Sequence, residues 1–259
     1  MTENTLHKEL NTLLSLFLDF GEAMLECGGE INRVEDSLVR MGTAYGATQT
    51  NVFVITSSIV LTMTFENGEE ITQTRRILSS GSTDFDKLEL LNELSRRSCS
   101  EALPVAELKK KLDEITVQKP SFIGQYLGSI LAAGGFAVFF GGNLFDGIAA
   151  GVFAILICLL QNTFGKYAPN KVFFFFVCSL VTGIGIGVAS KYIPVLNGDK
   201  VMIGDIMLLI PGIAIANAVR DMLVGDTISG AMKLVECLVW AGALATGFML
   251  SMVFTGGMM

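Results

Sequence analysis

From Phe122 onward the chain strings together runs of about 20 apolar residues, the length a helix needs to cross the hydrocarbon core of a bilayer. Five such runs fall at roughly 122 to 142, 144 to 163, 171 to 191, 201 to 220 and 228 to 255. Lipid offers no hydrogen-bond partner to a peptide group, so each run must satisfy its own backbone as a helix. Charge follows the same division: 12 of the 18 Lys and Arg precede Ser121 and 6 follow it. A composition of 51% hydrophobic and 17% charged residues therefore averages a water-soluble first half with a bilayer-embedded second half. The expected fold class is an α-helical polytopic membrane protein of five transmembrane helices with an N-terminal cytoplasmic α+β domain. The expected domains are 1–120 and 121–259.

Residues 1 to 30 lack the basic start and continuous apolar core of a secretory signal. Instead Leu6, Leu10, Leu13, Leu14, Phe17 and Leu18 mark an amphipathic helix, which keeps this half in the cytoplasm. Five spans place the two ends on opposite sides of a cell membrane, with the C-terminus outside. Short cytoplasmic loops collect Lys and Arg. Lys166, Lys171, Arg220 and Lys233 then lie inside, against Lys191 and Lys200 outside.

The soluble half reads as a second amphipathic helix from about Ile31 to Tyr45, ended by Gly46. Strands follow at Val52 to Thr56 and Ile59 to Phe65, and an Asn67-Gly68 turn leads into Ile71 to Ile77. Two helices, about 83 to 100 and 104 to 116, lead to the membrane, with Pro104 at the first turn of the second.

The chemistry concentrates around the fourth span. Pro211-Gly212 sits about ten residues into it, where the missing proline donor frees backbone groups at mid-membrane depth. Transporters use such interrupted helices to receive a substrate carboxylate at a new helix N-terminus; a simple proline kink is the plain alternative. Asn217, Arg220 and Asp221 share a helix face near the cytoplasmic end, and Asp226 follows. Arg220 can grip a carboxylate at two points, and an Asp can balance it or take up a proton; the plain alternative is a membrane-surface anchor. Asp205 and Asp146, within or bordering spans, are the candidates for proton coupling. Lys233 and Glu236 read as an interfacial ion pair. The Gly183 to Gly187 stretch reads as helix packing, since neither a Lys-Ser/Thr nor a strand-to-helix context makes it a phosphate loop.

Several classes are disfavoured. The net charge of -7 and the lack of a basic, aromatic-interleaved patch speak against nucleic acid. Cys27, Cys99, Cys158, Cys178 and Cys237 lack metal-ligand spacing and read as small buried hydrophobes. No nucleophile-base pair, zinc-protease or Walker sequence supports an enzyme, and no cofactor or metal is expected.

Two stretches together resemble the threonine/serine exporter family. Gly28-Gly29-Glu30-Ile31-Asn32-Arg33-Val34-Glu35-Asp36 with Tyr45-Gly46 is similar to its cytoplasmic signature. Pro211-Gly212, Asn217-Ala218, Arg220-Asp221, Gly225-Asp226 and Ser229-Gly230 are similar to the signature around its fourth span. The similarity covers nearly the whole chain. It implies a secondary exporter of threonine, serine or a related small carboxylate, driven by the proton gradient. Many members carry ten spans; this sequence stops after five, like the larger subunit of split members, including a two-component succinate exporter. The expected partners are the lipid bilayer, an amino-acid or carboxylate substrate, and a second five-span subunit or further copies of this chain. Asn32, Arg33 and Glu35 are expected to form a cytoplasmic gate or docking face, or else a helix-surface ion pair. A membrane-anchored regulatory or scaffold module with a ligand-binding soluble domain is the alternative function.

Overall fold

The computed structural model describes residues 3–78, 83–118 and 121–256, so the boundary expected near Pro120 lies outside the described residues. Two compact units emerge: one of Met1–Lys119 with Ile213–Leu234, the other of Pro120–Gly212 with Val235–Met259.

The first unit opens with helices α1 (Glu3–Glu26) and α2 (Ile31–Ala44), followed by strands β1 (Ala47–Ile55), β2 (Ser58–Phe65) and β3 (Glu70–Arg76). Helices α3 (Phe85–Glu101) and α4 (Val105–Val117) complete its N-terminal part. The strands form one antiparallel sheet in the order β1-β2-β3, with Val54 opposite Ile59 and Met63 opposite Ile71. Strand alternation sends Ile59, Leu61 and Met63 inward. They meet Leu14, Phe17, Phe20 and Met24 of α1 and Ile31, Val34, Leu38 and Met41 of α2, the last four spaced for one helix face. The Asn67-Gly68 turn forms as expected, with Gly68 at φ +79° and the Glu69 N–H donating to the Asn67 side chain. The first strand begins at Ala47 rather than Val52: Gln49, Thr50 and Asn51 are polar, and sheet pairing with β2 rather than apolar pattern recruits them, with Thr48 at a shift in register.

The second unit contains α5 (Phe122–Phe139), α6 (Leu144–Thr163), α7 (Lys171–Tyr192) and α8 (Gly198–Leu209). Helix α9 (Gly212–Val224) belongs, from Ile213, to the first unit, and α10 (Thr227–Phe254) runs through both. Among the described residues four helices are long and apolar enough to cross a membrane; α8 and α9 add a fifth if they form one broken span rather than a re-entrant loop. Together these features describe a helical, multi-pass membrane protein. Small residues let the helices approach. Gly183 lies against Ser251 of α10, Gly187 against Thr255 just past its end, and Gly204 against the backbone of Ala133, so the glycine-rich stretch packs helices. Large apolar side chains such as Leu131, Phe139, Ile148, Leu238 and Val253 point outward, as lipid-facing positions do.

Candidate functional site

A tight turn between α1 and α2 begins the site. Gly28 takes φ +85°, and the Gly29 N–H donates to Met24 O at 2.8 Å, where a side chain on Gly29 would strike that same carbonyl. The turn delivers Glu30 as the N-cap residue of α2, yet its side chain caps nothing there. It accepts instead from Arg220 Nη1 of α9 at 2.6 Å. One turn earlier on α9, the Asn217 amide donates to Gly28 O at 3.4 Å. Two α9 side chains thus hold the two ends of one glycine turn.

Asp221 faces elsewhere. It is buried and accepts from Lys233 Nζ of α10 at 2.7 Å. Lys233 therefore pairs with Asp221 and not with Glu236: across the α9–α10 turn Asp221 is the nearer carboxylate, whereas Glu236 lies three residues further along α10. That turn is made by Gly225 at φ +114° and closed by the Asp226 N–H donating to Asp221 O at 2.9 Å. Asp226 Oδ2 is buried with no hydrogen-bond partner. Glu35 of α2 accepts from the Val54 N–H at 3.0 Å. Burial raises its carboxyl above the ordinary range; the Val54 bond opposes that rise and the charge of Asp226 adds to it. Asn32 is half-buried and Arg33 exposed, its carbonyl accepting from Ser37 Oγ at 2.7 Å.

The remaining sequence-derived positions lie in the second unit. Helix α8 ends at Leu209 and Ile210 is extended; Pro211 has no N–H, and the Gly212 N–H turns back to Ile210 O at 2.8 Å. Regular helix is thus broken where the sequence places the proline, and α9 starts with fresh first-turn donors. Asp146 is fully buried and fully engaged. It closes a capping box with Asn143, accepting from that N–H at 2.7 Å, and accepts from Asn197 N at 2.7 Å and Asn197 Nδ2 at 2.9 Å. Asp205 is equally buried, but neither of its oxygens has a partner.

Sequence reasoning did not single out Glu30 or Lys233 as the partners of Arg220 and Asp221. The glycine pair before Glu30 was the available signal, because such a turn presents the next side chain to a neighbour. In chemical terms, Arg220 and Asn217 are donors suited to a carboxylate, with Glu30 supplying one from within. Asp226 supplies an acceptor with one oxygen unused.

The family model described as "Putative threonine/serine exporter" matches residues 15–255. A protein named threonine/serine exporter from Corynebacterium glutamicum is 21% identical over 249 residues, covering 93% of this chain and 51% of its own length. One named probable threonine/serine exporter from Mycobacterium tuberculosis is 22% identical over 243 residues, covering 93% of this chain and 46% of its own. This chain thus spans about half the length of the curated relatives it matches. No solved structure is significantly similar to it.

Proposed function

This chain belongs to the threonine/serine exporter family, and from that premise we propose that it is the larger subunit of a secondary transporter exporting threonine, serine or a related small carboxylate, coupled to protons. One observation carries the reading. The two sequence signatures, separated by some 190 residues, meet through the Arg220–Glu30 pair at 2.6 Å and the Asn217–Gly28 bond.

In this reading Arg220 and Asn217 receive the substrate carboxylate, and Glu30 holds that place between cycles. Asp221 and Asp226 balance the charge, and the Pro211-Gly212 break lets the fourth span present freed backbone groups. The coupling proton is carried by one of the two carboxylates within or bordering the spans, Asp205 or Asp146. Asn32, Arg33 and Glu35 form the face through which the soluble domain responds. Residues 1–120 act as a cytoplasmic domain and 121–259 as a five-span domain of the cell membrane, α8 and α9 counting as one broken span and the C-terminus lying outside. The chain works without a cofactor and is no enzyme. Its proposed partner is a second five-span subunit or further copies of this chain.

Proteoliposomes containing this chain, alone or with a five-span partner, test the proposal by flux of labelled threonine, serine and succinate with and without a pH gradient. Gradient-dependent flux of one solute, abolished by Arg220→Gln in protein that inserts normally, is the expected result. Undiminished flux in Arg220→Gln removes the site. Absence of flux under every condition, with ligand binding by the soluble part, favours the membrane-anchored regulatory module instead.

A further inference from the structure

Among the described residues of the second unit, both side-chain oxygens of Asp205 on α8 are buried without a hydrogen-bond partner, and the hydroxyl of Thr182 on α7 is buried with the Cys178 thiol in reach, each residue 0% exposed. The two helices pack against each other. Cys178, one helical turn before Thr182 on the same face of α7, lies within electrostatic reach of the Asp205 carboxyl, which places Asp205 against that face. Thr182 also behaves unlike the other helix hydroxyls of this unit. Ser179, Ser190, Ser251 and Thr255 all donate back to carbonyls of their own helices, the usual fate of a hydroxyl in an apolar surrounding. Thr182 does not; the side chain in reach of its hydroxyl is the Cys178 thiol, one turn earlier on α7.

The charged surroundings limit what the site can hold. Among the described residues no charged side chain acts on Asp205. From α7 the titratable neighbour is Cys178, and from α6 Cys158 stands beside Cys178. From α5 the packing partners are Ala133 and Ala137, which meet α8 at Gly204. Lys200, on α8 itself, acts on Asp146 instead. An ionised carboxylate without a partner is too costly in such an interior, so the site must take up positive charge from outside the chain. Sodium sites in transporters draw on unwound backbone carbonyls. Here both α7 and α8 are continuous helix around these residues, which leaves the two oxygens of one carboxyl and a site matched to a proton.

We infer that Asp205 carries a proton in a buried site on α8, against the face of α7 that bears Cys178 and Thr182. Asp146 is excluded from that duty by its full set of donors and acts as a clamp between the start of α6 and Asn197. The use of this site in transport rests on the exporter reading above; the site itself does not.

Infrared difference spectra of the purified full chain in nanodiscs test the site without any flux. Wild type is expected to show a protonated carboxyl stretch at neutral pH that is lost in Asp205→Asn and unchanged by sodium. Asp205→Glu, which keeps a carboxyl on α8, is expected to retain a protonated band at a shifted frequency. A spectrum identical in wild type and Asp205→Asn overturns the site. Loss of the band on adding sodium at fixed pH makes it a metal-cation site and overturns the proton assignment. Should Asp205→Asn fail to fold, a band whose frequency is unmoved in Asp205→Glu overturns the assignment. A confirmed band in a protein that moves no solute sinks the exporter reading and leaves the site standing.

Discussion

Asp221 is the position where a structural and a transport role are most easily confused, and the Asp221–Lys233 pair allows them to be separated. The two side chains are 2.7 Å apart, with 4% of the aspartate and 20% of the lysine accessible. Removing one member of a buried ion pair costs about 3–5 kcal/mol, because the partner's charge is left without compensation. A fifth of this lysine already reaches water, so the expected loss for Asp221→Asn is smaller, about 2–3 kcal/mol. That is a roughly 30- to 150-fold shift in the folding equilibrium. For a chain of this size it corresponds to a fall of about 4–12 °C in Tm. The neutral double variant Asp221→Asn with Lys233→Gln removes both charges together. It is expected to recover to within about 1 kcal/mol of wild type, and so to be about 1–2 kcal/mol more stable than Asp221→Asn alone. Thermal unfolding of the three variants and wild type in detergent, followed by size-exclusion chromatography, completes the cycle. If Asp221 also serves transport, the double variant is stable and still inactive in the flux assay. Single variants as stable as wild type, or a double variant no better than either single, would refute the reasoning from the ion pair.

Two further perturbations probe the units separately. A side chain on Gly247 would stand 2.6 Å from Phe176 O and 3.1 Å from Leu180 N, both backbone atoms of α7, whereas one on Gly242 would meet nothing within 4 Å. Gly247→Ala is therefore expected to lose about 1–3 kcal/mol in detergent unfolding while Gly242→Ala stays near wild type, and equal behaviour of the two would show that α7 and α10 do not pack this way. In the first unit, Glu35 binds its proton more tightly folded than unfolded, because burial raises it above 4.5. Its contribution to stability is thus present at low pH and declines as pH rises above about 4.5. Glu35→Gln keeps an acceptor for Val54 N and should flatten that decline in chemical denaturation of the full chain, and an unchanged pH profile counts against a buried, desolvated Glu35.

The elements of this protein are written in local pattern. Runs of about 20 apolar residues, the Ile31, Val34, Leu38, Met41 spacing and the Asn67-Gly68 turn each act over a few neighbouring residues, so sequence reading placed their helices, strands and turn. The Pro211-Gly212 break was legible for the same reason, since a proline removes its own donor wherever the chain goes. Partnership was not. Arg220, Asn217 and Asp221 share one helix face by spacing, but two of them turn to the Gly28–Glu30 turn and the third to Lys233, a division set by which element packs on each side of α9. Asp146 and Asp205 look alike in sequence, both acidic and both in apolar surroundings. Tertiary structure alone surrounds the first with three donors and leaves the second with none, because a carboxylate's environment comes from residues brought near by folding, such as Asn197, 51 positions along the chain from Asp146.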